Sequence, residues 1–196
     1  MLYSVTYNNG VSKYALRKIP YVPRVLDVSA GIGIPYSEFA VFNTDATLLE
    51  RAEAYALSGQ YDKAMNDINA ELSVFTKKKT QLTLDEIVDF YGSLAYYTPT
   101  KPTPKKALNP LFTIEKTTQE PLLQCILQLR RLLTMHEGFR LQAVKRYGIT
   151  MYRRQVDVQS NVTAVTDSMK TGDPRLAIQL PQDVISAGVT PNPRNK

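Results

Sequence analysis

A mainly α-helical fold, one tight helical hairpin packed on further helices, is what this 196-residue sequence predicts. Three observations carry that prediction. Apolar residues recur at helical spacing over Leu48–Leu72, Thr83–Tyr97 and Leu122–Arg146; glycines stand where those patterns stop, at Gly59 and Gly148; and clear strand-like alternation is confined to the first few residues. A short β-hairpin is expected at the N-terminus and a loop-rich tail at the C-terminus. With 43% hydrophobic residues the chain can bury a core of ordinary size, and residues 1–196 are read as a single domain.

In chain order, Tyr3, Val5 and Tyr7 alternate and are followed by Asn9-Gly10, a strong hairpin signal. Lys18–Phe39 then holds three prolines and two glycines, which reads as an extended connection rather than a regular element. Asn43, Thr44 and Asp45 offer N-caps for a helix starting near Ala46. Leu48, Leu49, Ala52, Tyr55 and Ala56 share one face of it, and Gly59 ends it by accepting a left-handed conformation. A second helix from Tyr61 shows Ala64, Met65, Ile68 and Leu72 on one face. The small residues Ala52, Ala56 and Ala64 allow close backbone approach. This is the internal pattern of a tetratricopeptide-type hairpin over residues 45–75, present in one clear copy, so it must pack on other elements.

Thr83 caps a third helix with Ile87, Phe90, Tyr91 and Leu94 on a face. Thr98–Pro110 carries four prolines and is a loop. Pro121 suits a helix first turn, and residues 120–147 read as one long helix ended by Gly148. From Ile149 onward the signals are short extended pieces and a proline-rich tail.

Several function classes find no support. No run of about 18 apolar residues is present to span a membrane as a helix. The lone Cys125 sits in an apolar periodicity and reads as a core thiol. The net charge of +6 is spread over short basic pairs and one triplet without an aromatic–basic RNA-binding pattern, so no nucleic-acid partner is expected. His136 is the only histidine, and Arg140 stands where H-E-x-x-H would need its second one. No nucleophile elbow, phosphate loop or dinucleotide fingerprint is present. No catalytic residue, metal site or cofactor is expected. Glu137 and Arg140, three apart, are expected to pair on the helix surface. Binding is the better reading, because aromatic rings receive the C–H faces of sugars. Tyr91, Tyr96 and Tyr97, beside the proline-stiffened loop, are the candidate ligand-binding residues; the bland alternative is that they pack the loop onto the helices.

Three segments in order resemble the SusD/RagB family. "RAEAY" followed by "DIN" (Arg51–Asn69) is similar to its late helical hairpin. The Arg130–Arg131 pair, the Glu137-Gly138-x-Arg140 step and Lys145-Arg146 resemble its following helix. Asp173–Lys196, with "LPQDVI" and an "NP" tail, resembles its C-terminal signature. The likeness runs from about Asp45 to Lys196, with Val11–Lys18 similar to the family's extended lead-in. It implies a non-enzymatic lipoprotein of the cell outer membrane, surface-exposed, that captures an oligosaccharide or polysaccharide, or else a peptide. Such a protein serves nutrient uptake in polysaccharide utilisation by handing its ligand to a SusC-like TonB-dependent outer-membrane transporter. Family members are longer, with a signal peptide and a lipidated cysteine near the mature N-terminus; neither pattern occurs in these residues, and Lys77–Thr118 is a larger insertion than the family's pattern has. The expectation is therefore the C-terminal portion of a SusD-like protein, with a soluble tetratricopeptide-like adaptor for a protein or peptide as the alternative.

Overall fold

The computed structural model describes residues 2–6, 12–16, 21–37, 42–135 and 137–194. The chain folds as two compact units, Met1–Thr44 and Asp45–Lys196.

The first unit is β. Strands β1 (Leu2–Thr6) and β2 (Ser12–Leu16) pair antiparallel with Leu2 opposite Leu16 and Thr6 opposite Ser12, as the N-terminal alternation predicts. The Asn9-Gly10 turn and Tyr7 lie outside the described residues. Strands β3 (Tyr21–Asp27) and β4 (Ile32–Ser37) form a second antiparallel pair, which corrects the reading of this stretch as an irregular connection. Proline is compatible with a strand that has a free edge, and in a two-stranded ribbon both strands do; Pro23 stands directly opposite Pro35. The turn between them is closed by Asp27, whose Oδ1 accepts from the backbone N–H of Ser29 at 2.8 Å and of Ala30 at 3.0 Å.

The second unit is mainly helical. Helices α1 (Thr44–Leu57) and α2 (Tyr61–Phe75) are separated by Gly59, at φ +75°, and clamped by a two-pronged ion pair: Arg51 Nε to Asp67 Oδ2 at 2.9 Å and Arg51 Nη2 to Asp67 Oδ1 at 2.7 Å. Helix α3 (Leu84–Ser93) opens on a reciprocal cap in which Glu86 N–H donates to Thr83 Oγ1 and Thr83 N–H to Glu86 Oε2. The proline loop follows, without regular structure, and leads into α4 (Gln119–Leu133).

Helix α4 is the centre of the unit. Every residue from Gln119 to Leu127 is buried, so it meets neighbours on all sides, α3 among them. Leu122, Leu123 and Ile126 join Leu49, Ala52, Ala56, Ala64, Ile68, Val144 and Tyr147 in the densest part of the core. Cys125 is buried there, and burial pushes its thiol up to about 12, which makes it an inert packing group.

The long helix expected over 120–147 is two helices, α4 and α5 (Arg140–Arg146). Two local features break it. Thr134 at the end of α4 turns its hydroxyl back onto the Arg130 carbonyl at 2.7 Å, and Gly138 adopts φ +83°. A Cβ at Gly138 would meet nothing within 4 Å, so this glycine serves the turn and not a close packing contact. The close contact is at Gly148, at φ +57°, where a Cβ would lie 2.2 Å from the Asn109 carbonyl oxygen. His136 lies outside the described residues.

Beyond Gly148, β5 (Met151–Val156) and β6 (Val162–Met169) form an antiparallel pair with two register shifts, a 3-10 turn spans Pro174–Leu176, and α6 (Gln182–Ser186) is a short helix. The tail folds back: Asn192 Nδ2 donates to the Ile178 carbonyl at 2.7 Å and Arg194 Nη1 to the Pro174 carbonyl at 2.8 Å. No helix among the described residues is long and apolar enough to cross a membrane.

Candidate ligand-binding cleft

Three polar side chains on the buried helix α4 dictate where the surrounding loops go. Gln119 donates to the carbonyls of Ala56 at 3.0 Å and Leu57 at 3.2 Å, tying down the end of α1. Glu120 accepts from the Tyr96 hydroxyl at 2.9 Å and pairs with Lys116 at 2.9 Å. Gln124 accepts from Lys106 N–H at 3.0 Å and donates to the Lys106 carbonyl, acting as a one-residue strand partner for the proline loop. A buried amide or carboxylate left without partners would be costly, so each anchor selects one loop conformation. Within the loop, Tyr97 N–H reaches the Lys105 carbonyl at 2.8 Å, bringing the tyrosine and the lysines together.

Strand β5 supplies the facing wall. Tyr152 and Arg154, two apart, point to the same face. Tyr152 stacks on Tyr97 with ring centroids 5.5 Å apart and planes inclined by 30°. Arg154 staples the loop: its Nε donates to the Pro99 carbonyl at 2.6 Å, its Nη2 to the Thr98 carbonyl at 2.7 Å, and its Nη1 to the Tyr97 hydroxyl. The Lys106 ammonium lies 3.5 Å from the Tyr97 ring centroid and donates to the Thr103 carbonyl.

Between these walls and the ends of α4 and α5 is an open cleft of about 530 Å³ whose lining includes Tyr97, Lys106, Arg131, Arg140, Tyr152 and Arg154. That volume is of the size that holds small ligands. Burial, reinforced by Arg131, Arg140 and Arg154, pushes the Lys106 amine down to about 8. Burial and the neighbouring Arg131 likewise hold the Arg140 guanidinium below its ordinary value.

No protein-family model, curated protein or solved structure matches the chain.

The three tyrosines singled out from sequence separate. Tyr91 is 5% exposed, packed edge-on against Phe90 in the core, and its hydroxyl is raised by burial; its ring is closed to a ligand. Tyr96 is 42% exposed, but its hydroxyl is committed to Glu120 and Lys105 sits 4.5 Å from its ring centroid, outside the cleft lining. Tyr97 alone of the three lines the cleft. Arg140 pairs with no acid among the described residues, so the local Glu137–Arg140 ion pair is replaced by a guanidinium turned into the cleft. Tyr152 and Arg154 had no sequence signal beyond strand alternation in "MYRRQV".

A second cluster joins α1 to α4 and α5. Glu53, 5% exposed, accepts from Arg146 Nε at 2.8 Å, from the Tyr147 hydroxyl at 2.7 Å and from Arg130 Nη1. Arg130 Nη2 also lies 3.5 Å from Glu50, and with both guanidiniums and the phenol engaged by carboxylates this is a structural junction. Among the described residues no three His, Cys, Asp or Glu side chains are placed to hold a metal ion.

Proposed function

We propose that this chain is the C-terminal portion of a SusD-like outer-membrane lipoprotein, a non-catalytic protein that captures a glycan at the cell surface and passes it to a SusC-like TonB-dependent transporter. The observation that carries the ligand-binding part is the stacked Tyr97–Tyr152 pair on the wall of the open cleft. Rings fixed by stacking and by a stapled loop lose little ordering entropy when a ligand arrives. Tyr152, half-buried and free of the loop-anchoring role that Tyr97 carries, is the ring to receive a pyranose C–H face, with Gln128 and Thr150 nearby for hydroxyls.

The Glu53 junction supports the family part. Its members are the glutamate of "RAEAY", the first arginine of the Arg130–Arg131 pair and the arginine of Lys145-Arg146. Arg51 and Asp67, from "RAEAY" and "DIN", make the α1–α2 clamp. Motif residues chosen for their likeness to one family thus meet one another through charge-assisted bonds, as pieces of a shared scaffold do. In this reading α1 and α2 are its tetratricopeptide-like hairpin.

Calorimetry with oligosaccharide digests of plant and host polysaccharides tests the proposal. Binding in the micromolar to millimolar range is expected, since an open cleft gives modest affinity, and Tyr152→Ala should weaken it about tenfold with the thermal melt unchanged. Binding of extended peptides and no sugar would favour the tetratricopeptide-like adaptor instead.

A further inference from the structure

The charge of the cleft is one-sided. Among the described residues Lys106, Arg131, Arg140 and Arg154 line it, and no Asp or Glu does. The four cations are not equivalent. Arg154 commits its guanidinium to the carbonyls of Thr98 and Pro99 and to the Tyr97 hydroxyl, and Lys106 gives a hydrogen bond to the Thr103 carbonyl. Arg131 and Arg140, in contrast, make no ion pair and no side-chain hydrogen bond with any described residue, although Arg140 is half-buried and close enough to Arg131 to feel its charge. Elsewhere in this unit Arg51 is matched with Asp67, Arg130 and Arg146 with Glu53, and Arg175 with Asp167 and Asp173. Arg131 is exposed, but Arg140 is half-buried with Arg131 near enough to act on it and no acid to answer it, a cost that an incoming anion would relieve.

We propose that the cleft selects an acidic glycan, with a carboxylate or sulfate group of the sugar held between Arg131 and Arg140 and an adjoining ring against Tyr152. This rests on the glycan reading and narrows it. Guanidinium forks match the planar oxygens of carboxylates and the oxygens of sulfate esters, and the aromatic wall beside them supplies the apolar contact that a free inorganic ion could not use.

The test uses the whole chain with 15N-labelled arginine, following the Arg131 and Arg140 Nε–H resonances. It is titrated separately with sodium sulfate, with acidic oligosaccharides (oligogalacturonate and a chondroitin sulfate oligomer), with neutral oligosaccharides of matched length (malto- and xylo-oligomers) and with a short single-stranded oligonucleotide. Acidic oligomers should shift both resonances, bind at least about tenfold more tightly than the neutral ones, and lose that margin in Arg131→Gln/Arg140→Gln and when salt rises from about 50 to 300 mM. Sulfate should shift the same resonances more weakly. Neutral oligomers binding as tightly as acidic ones would overturn this inference and leave the glycan reading standing. Acidic oligomers binding equally well to the double variant, or an oligonucleotide binding better than any sugar, would also overturn it. Failure of every sugar to bind, with or without a sulfate response, would overturn both readings.

Discussion

Glu53 is a small-scale instance of how this chain uses its charges. Its carboxylate, almost without solvent, takes two guanidiniums and the Tyr147 phenol, so removing its charge leaves Arg146 and the phenol without their acid and Arg130 with Glu50 alone. Glu53→Gln is expected to cost about 3 kcal/mol in urea unfolding, in the range for breaking a buried charge network from one side. A cost below about 0.5 kcal/mol would show that water replaces the carboxylate readily. At Lys106 the same physics runs in reverse. Its amine is displaced downward from 10.5 to about 8 by burial first and then by Arg131, Arg140 and Arg154. Folding therefore carries a penalty that is complete below pH 8 and is relieved as pH rises from about 8 toward 10.5, because across that window the unfolded chain holds the proton that the folded chain has released. NMR of the methylated lysine should show a midpoint near 8, and an anionic ligand should raise it; a midpoint above 10 would contradict the half-buried, cation-crowded setting. At this scale the sequence announced an aromatic cluster beside the proline loop but not which ring faces a cleft. That choice depends on Gln124 and Glu120 reaching out from α4, contacts made across 18 and 24 residues that no local spacing encodes.

Among the elements, those written by local rules were legible and those written by distant contacts were not. Helices α1 to α3 follow from apolar periodicity, the Thr83 cap and the turn at Gly59. The β3–β4 ribbon was hidden because its prolines argue against a strand until both strands are known to have a free edge. The division between α4 and α5 was hidden because apolar spacing continues through it while Thr134 and Gly138 change the backbone. Two substitutions test the packing of these elements. Ala56 is fully buried and its carbonyl accepts from Gln119, so Ala56→Leu should force α1 away from α4 and cost about 1–3 kcal/mol; an unchanged melt would refute the close approach. Gly148→Ala would drive a methyl into the Asn109 carbonyl at a positive φ and should cost at least about 2 kcal/mol, and Asn109→Ala should not rescue it, because the clash is with backbone.

At the scale of the molecule, two compact units share the chain, and the second is organised around α4 with structural charges matched at Glu53 and Asp67 and four cations gathered at the cleft. The segments quoted for the resemblance fall on both sets: Arg51, Glu53, Asp67, Arg130 and Arg146 are matched, while Arg131 and Arg140 line the cleft. Tyr97, Arg131 and Arg140 belonged to features singled out in the sequence, Arg131 as half of a basic pair and Arg140 assigned to a helix-surface pair. Tyr152 became visible once β5 was seen to lie against the proline loop. The most direct check on the cleft as the binding site is a backbone amide chemical-shift map of the 15N-labelled chain titrated with the oligosaccharide that binds best in calorimetry. Shifts should concentrate at Tyr97, Lys106, Gln128, Arg140 and Thr150–Arg154, with the Glu53 junction silent. Shifts centred on any other surface, with those amides unmoved, would contradict the assignment.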